Sequence, residues 1–293
     1  MKRPTLAYLN NNKITTIRPL SPQEFAAFET ARREIDKYFR SSQLFAAALL
    51  NHDEYVETDK KYVEDLSVRP DIGMDYLDRM VFNLNRRILN YLSSVRTFLD
   101  HNLTDLKRSR RDPKVPSPEE VFFEDILNKN YDESFAYRFL YQLRNYVQHC
   151  GMPVGNVLIN AEKDSSVSGG KRITVSVVFD RDTLLNRFKD WKTAKKSLLE
   201  MPAQFEVSPL LQELVFRLGI IHFQLNEKLF PDIEAEAALI NRMHSEVREA
   251  DSRVVVLDVT DQADKAVDLQ IIDFPIIQAQ QIFKDRRIRW NES

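Results

Sequence analysis

Residues 143–151, LRNYVQHCG, place an arginine, an amide and a histidine within six positions, next to the one cysteine of the chain. Histidine is the side chain best suited to moving protons near neutral pH, and arginine is the natural partner of a phosphate oxygen. Together they are the equipment of a nucleic-acid-cutting site. On a helix Asn145 and His149 are four apart and face the same way. Arg144 lies about 140° around from His149, at ~100° per residue, and its long side chain spans that gap only in part. One helix would therefore present an amide and an imidazole together with a guanidinium reaching in from the side, which suits a site completed by a second copy of the helix. The alternative is a capped helix end where a cationic His149 merely suits the helix dipole.

The spacing has two look-alikes. Arg96…His101 and Arg217…His222 carry the same four-residue gap, so identity and setting must discriminate. Arg217 and His222 sit in VFRLGIIHF, which reads as a packed interior histidine. Arg96 is followed by Thr97, with Asp100 and Asp105 nearby, which reads as a charged solvent face. Only Arg144 is followed by Asn. Cys150 points about 100° away from His149 on a helix and reads as structural or incidental rather than as a nucleophile. Two basic clusters are candidate tracks for an RNA backbone: residues 107–114, KRSRRDPK, with Lys107, Arg108, Arg110 and Arg111, and the C-terminal KDRRIRW, with Arg286 and Arg287. The more ordinary reading of each is a solvated helix end.

The elements that must position these residues follow from caps and periodicity. Ser21-Pro22-Gln23-Glu24 has a Ser cap, Pro at the first helical position and Glu placed to close a capping box, so a helix is expected to about residue 65, with a kink or break allowed near Asn51-His52-Asp53. Leu77, Met80, Leu84, Ile88, Tyr91, Val95, Phe98, Asn102 and Leu106 form one stripe over about ten helical turns. Ser117-Pro118-Glu119-Glu120 opens a short helix through about Asn128, and Asp132 or Ser134 caps the motif helix, which Gly151 and Pro153 end. The β-branched runs 154–161 and 171–179 flank SSVSGG as a hairpin. Helices are expected at about 181–199, 208–229 and 232–250, with Pro231 between the last two, then a second strand pair at 254–259 and 266–274 and a closing helix from Pro275. The fold class expected is α+β, predominantly α-helical: a helical bundle over 1–152 and a mixed α+β region over 153–293, either separate or packed on the same core.

With 293 residues, 43% apolar and 10% aromatic, the chain can bury a large core. Its charges nearly cancel, at −2, so a nucleic-acid surface would have to be local. One Cys excludes an internal disulfide and a multi-cysteine metal site, and fits a reducing compartment. The start, MKRPTLAYLNNN, has no apolar run long enough for a signal peptide, and no stretch approaches the ~20 apolar residues of a membrane span, so a cytoplasmic protein without a membrane is expected. Ser168-Gly169-Gly170-Lys171 lacks the first Gly of a phosphate loop, and HExxH, GxSxG, EF-hand and dinucleotide patterns are missing. Neither a metal nor a cofactor is expected.

LRNYVQHC resembles the motif of the HEPN superfamily of all-helical ribonucleases. In that motif an Arg, a polar residue directly after it, often Asn, and a His following four to six intervening residues lie on one helix of a bundle. Arg144, Asn145 and His149 match the three positions. The resemblance covers residues 21–152 and leaves the remainder of the chain without a family. It implies a homodimer whose two motifs face one another and cleave RNA without metal, leaving 2′,3′-cyclic phosphate and 5′-hydroxyl ends. In that chemistry His149 moves the proton of the ribose 2′-hydroxyl or of the leaving 5′-oxygen, Arg144 stabilises charge on the phosphate, and Asn145 orients the His or bonds a phosphate oxygen. The settings implied are host defence, toxin–antitoxin pairs and RNA processing. The rival expectation is a non-catalytic binding or scaffold protein whose bundle holds a protein or nucleotide partner, with the Arg/His pair structural; a motif buried against its own β-hairpin would favour it.

Overall fold

The computed structural model describes residues 4–291 except 12, 69–72, 155, 164–170, 248–251 and 263–265. Among the described residues the chain is α+β and predominantly helical, with two small antiparallel sheets. In order it runs β1 (Thr5–Asn10), β2 (Lys13–Pro19), α1 (Pro22–Val68), α2 (Met74–Arg108), α3 (Pro118–Glu133), α4 (Phe135–Cys150), β3 (Asn156–Lys163) and β4 (Lys171–Asp180). It continues with α5 (Arg181–Arg187), α6 (Ala194–Glu200), β5 (Gln204–Glu206), α7 (Ser208–Leu229), α8 (Ile233–Ser245), β6 (Arg253–Gln262), β7 (Ala266–Asp273) and α9 (Ile276–Asn291). No helix among the described residues is long and apolar enough to cross a membrane.

Two units emerge from the contacts: residues 1–40 with 226–293, and residues 41–225. This division differs from the expected cut at 152/153 for a physical reason at each end. β1 pairs antiparallel with β6, Thr5 opposite Leu257 and Leu9 opposite Arg253, so both chain ends enter one sheet of order β2-β1-β6-β7. Leu6, Phe28, Ile35, Ile240, Val256 and Ile282 fill the core of that unit. At the other end, β3, β4 and β5 form a second sheet whose Phe179 and Phe205 pack on Phe139 of α4, at ring separations of 5.3 and 5.6 Å. Strands β3 to β5 therefore belong with the motif helix.

The caps behave as their chemistry requires. Ser21 Oγ accepts from Glu24 N at 3.1 Å while Glu24 Oε2 accepts from Ser21 N at 2.8 Å, a closed capping box. Ser117 Oγ accepts from Glu120 N, and Ser134 Oγ accepts from Tyr137 N at 3.0 Å. α1 runs through Asn51-His52-Asp53 without a break; there Asn51 Nδ2 donates to Ala47 O at 2.9 Å and buried His52 packs edge-on against Tyr91. The helix expected over 181–199 is instead split into α5 and α6. Trp191, fully buried, takes the chain out of the helix to stack on Phe139 at 5.4 Å, and its Nε1 donates to Leu184 O. The SSVSGG turn lies outside the described residues, but β3 and β4 pair antiparallel from Asn156 opposite Val178 to Lys163 opposite Lys171.

α2 is the scaffold of the second unit. Its stripe from Met80 to Leu106 is buried as the spacing requires, and Asn85, buried beside it, makes a reciprocal clamp: Nδ2 donates to Val154 O at 2.7 Å and Oδ1 accepts from Val154 N at 3.0 Å. This clamp fixes the chain just beyond α4. Asn85→Ala would strip a buried donor and a buried acceptor of their partner at once, and the expected loss is about 2–4 kcal/mol of unfolding free energy. Urea denaturation checks this, and a loss below ~0.5 kcal/mol would mean that solvent replaces the clamp.

Candidate active site on α4

α4 buries Ala136, Tyr137, Phe139, Leu140, Leu143 and Tyr146, a run of threes and fours that leaves Arg144, Asn145, Gln148 and His149 on its other faces. Gly151 follows with φ 109°, a backbone conformation that favours glycine, and the helix ends there. Arg144 is half-buried. Its Nη1 donates to Gln148 Oε1 at 2.7 Å, and it lines a small apolar pit with Leu92, Val95 and Leu99 of α2 and Leu214 of α7. Asn145, also half-buried, donates from Nδ2 to Gln142 Oε1 at 3.1 Å. His149 is exposed and has no hydrogen-bond partner among the described residues. Within one chain, then, the guanidinium and the imidazole of the motif are not brought into contact.

Beside the pit a groove of about 550 Å³ opens between α2, α3 and α4. Arg96, Leu99, Tyr137 and Tyr141 line both, so the groove runs on from Arg144. Tyr131, Tyr137 and Tyr141 form its aromatic side, with Tyr131 perpendicular to the other two rings at 6.4 and 6.3 Å. The Arg96 guanidinium sits 4.4 Å over the Tyr141 ring and donates to Asp100 Oδ2 at 2.6 Å. Burial pushes the Tyr137 hydroxyl well above its ordinary value. Residue identities alone do not single out these groups. The signals were spacings: Gln148 four beyond Arg144, Gln142 three before Asn145, and Tyr137 four before Tyr141.

The two look-alikes differ from the motif. His101 pairs with Asp105 at 3.4 Å, and Arg96 is held by Asp100, so that pair is a charged helix face. His222 is buried and stacks on Phe45 at 4.1 Å with the rings 10° from parallel, a packed interior histidine. The first basic cluster is largely engaged. Arg110 makes a two-point pair with the buried carboxylate of Glu120 and donates to Pro113 O, and it holds that carboxyl below the usual range. Lys107 lies 3.9 Å from Glu124 and Arg108 3.7 Å from Asp105, whereas Arg111 is exposed with no ion-pair partner among the described residues. The side chains of Arg286 and Arg287 lie outside the described residues. Cys150 donates from Sγ to Arg187 O at 3.3 Å. No family model matches the chain, and neither a curated protein nor a solved structure matches it.

Proposed function

We propose that the chain is an endoribonuclease of HEPN type, working as a homodimer without metal through Arg144, Asn145 and His149, in a defence, toxin–antitoxin or RNA-processing setting. The observation that carries this reading is the contrast along α4. Arg144 and Asn145 are each held in place by a glutamine of the same helix, while His149, one turn on, is exposed and without a partner. A histidine that serves only packing looks like His222, buried and stacked. His149 itself is exposed, whereas another face of α4 packs through Phe139 on β4 and β5.

In the reaction, the neutral imidazole of His149 takes the proton of the ribose 2′-hydroxyl, and the 2′-oxygen attacks phosphorus. The bond to the 5′-oxygen breaks, and that oxygen takes a proton from the His149 of a second copy. Arg144 faces the growing negative charge on the phosphate oxygens, where its planar donors fit two of them. The products are a 2′,3′-cyclic phosphate and a 5′-hydroxyl. Because Arg144 and His149 point to different sides of α4, the site is completed by the second α4, and light scattering is expected to give a dimer. Among the described residues no three His, Cys, Asp or Glu side chains gather as a metal-ligand set. In the chemistry proposed for His149 and Arg144, cleavage of single-stranded RNA should survive EDTA and leave cyclic phosphate ends. Loss of cleavage in EDTA, restored by magnesium or manganese, would remove His149 from the central role. A monomer at high micromolar concentration would count against the shared site.

A further inference from the structure

We propose that the groove between α2, α3 and α4 is a nucleobase pocket that takes an unpaired guanine of the RNA next to the phosphate held by Arg144. The proposal rests on the ribonuclease reading for the word "RNA" but not for the pocket itself. Its first support is Gln142. This residue lines the groove, is only 6% exposed, and accepts from Asn145 of the motif through Oε1, while its amide nitrogen has no hydrogen-bond partner among the described residues. That nitrogen is open to solvent at the groove, and an acceptor on a base can take the place of water there. The same side chain ties the groove to the motif.

The second support is charge. Arg96 is committed to Asp100 and to the face of Tyr141. Glu124, which also lines the groove, lies 3.9 Å from Lys107 and within electrostatic reach of Arg110, and makes no hydrogen bond among the described residues. The groove therefore keeps a carboxylate able to accept N–H groups. Guanine carries two adjacent N–H donors, N1–H and the N2 amino group, which match the two oxygens of one carboxylate, and its O6 beside them accepts from an amide. Uracil offers one N–H between two carbonyls, and adenine and cytosine offer an amino group beside an acceptor nitrogen, so none of them completes that row. The third support is shape and surface. A flat base stacks on aromatic planes, which is how unpaired RNA bases are generally held, and Tyr131 and the side of Tyr141 that Arg96 does not cover supply them. The volume of about 550 Å³ lies in the range of small-ligand sites, ~300–1,000 Å³.

Calorimetric titration of His149→Ala protein with the four nucleoside 3′-monophosphates tests this without turnover. Guanosine 3′-monophosphate is expected to bind tightest. Tyr141→Ala should weaken all four by roughly 10- to 100-fold through lost stacking. Glu124→Gln should weaken guanosine 3′-monophosphate by roughly 10- to 100-fold and abolish its advantage. The Glu124 side chain is 44% exposed, so Glu124→Gln leaves packing intact and decides the matter if Tyr141→Ala does not fold. Failure of every nucleotide to bind at millimolar concentration, or binding that neither substitution changes, overturns the pocket. If guanosine 3′-monophosphate binds with this pattern to a protein that cuts no RNA, the pocket stands and the ribonuclease assignment falls. If RNA is cut without base preference and Tyr141→Ala leaves KM unchanged, the pocket falls and the assignment stands.

Discussion

His149→Ala is expected to slow RNA cleavage by ~10²–10⁴-fold, the usual size of a general acid–base contribution. The fold should be indifferent to it. The side chain is exposed in the last turn of α4 and makes no hydrogen bond among the described residues, so its loss belongs with surface substitutions, within ~0.5 kcal/mol. The other two Arg/His spacings are internal controls. His101→Ala removes an exposed pairing with Asp105, of a kind worth ~0–1 kcal/mol, and should leave cleavage at the parent rate. His222→Ala removes a ring stacked on Phe45 inside the core, and should act through a lower melting temperature with the rate per folded molecule preserved. A folded, dimeric His149→Ala protein that cuts RNA as fast as the parent would sink the assignment. So would a parent that cuts no RNA offered while binding another protein tightly through α4.

Local signals in the chain were legible because they act locally. Ser21, Ser117 and Ser134 cap helices through hydrogen bonds to backbone three residues on, and the stripe of α2 needs only its own period to be read. The first hairpin was not legible. β1 is six residues long and its buried Leu6 and Ala7 are adjacent rather than alternating, β2 is mostly exposed, and what fixes them is the pairing of β1 with β6, some 250 residues away. For the same reason the division of the chain into units differs from a cut in sequence order. Trp191 is a similar case: the helical pattern of 181–199 continues through it, but the burial available against Phe139 and Tyr146 outweighs the helix. At the candidate site, residue types and a resemblance pointed to Arg144, Asn145 and His149, but not to the partners that hold them. Gln142 and Gln148 are ordinary helix residues by propensity. Only the three-dimensional setting shows that one clamps Arg144 while the other joins Asn145 to a groove.

Arg144→Ala should cost ~10²–10³-fold in kcat, the usual loss when one donor to a developing oxyanion is removed. This substitution needs a control that His149→Ala does not, because Arg144 is half-buried and its stem packs beside Leu92, Val95 and Leu214. Truncation therefore lowers stability as well as charge. Arg144→Lys separates the two effects. It keeps the aliphatic stem and the positive charge, so the melting temperature should stay near the parent, but an ammonium lacks the planar fork that donates to Gln148 and to two phosphate oxygens together. Arg144→Lys should consequently remain at least ~10-fold below the parent in kcat while folding normally. Gln148→Ala should fall between the two, since it frees the guanidinium from its 2.7 Å contact without removing it, and its loss should appear in kcat rather than in melting temperature because Gln148 is exposed. If Arg144→Lys restores the full parental rate, two-point recognition of the phosphate is not what Arg144 supplies. If Arg144→Ala loses activity only in proportion to the unfolded fraction, the residue serves the packing of α4 on α2 and takes no part in the chemistry.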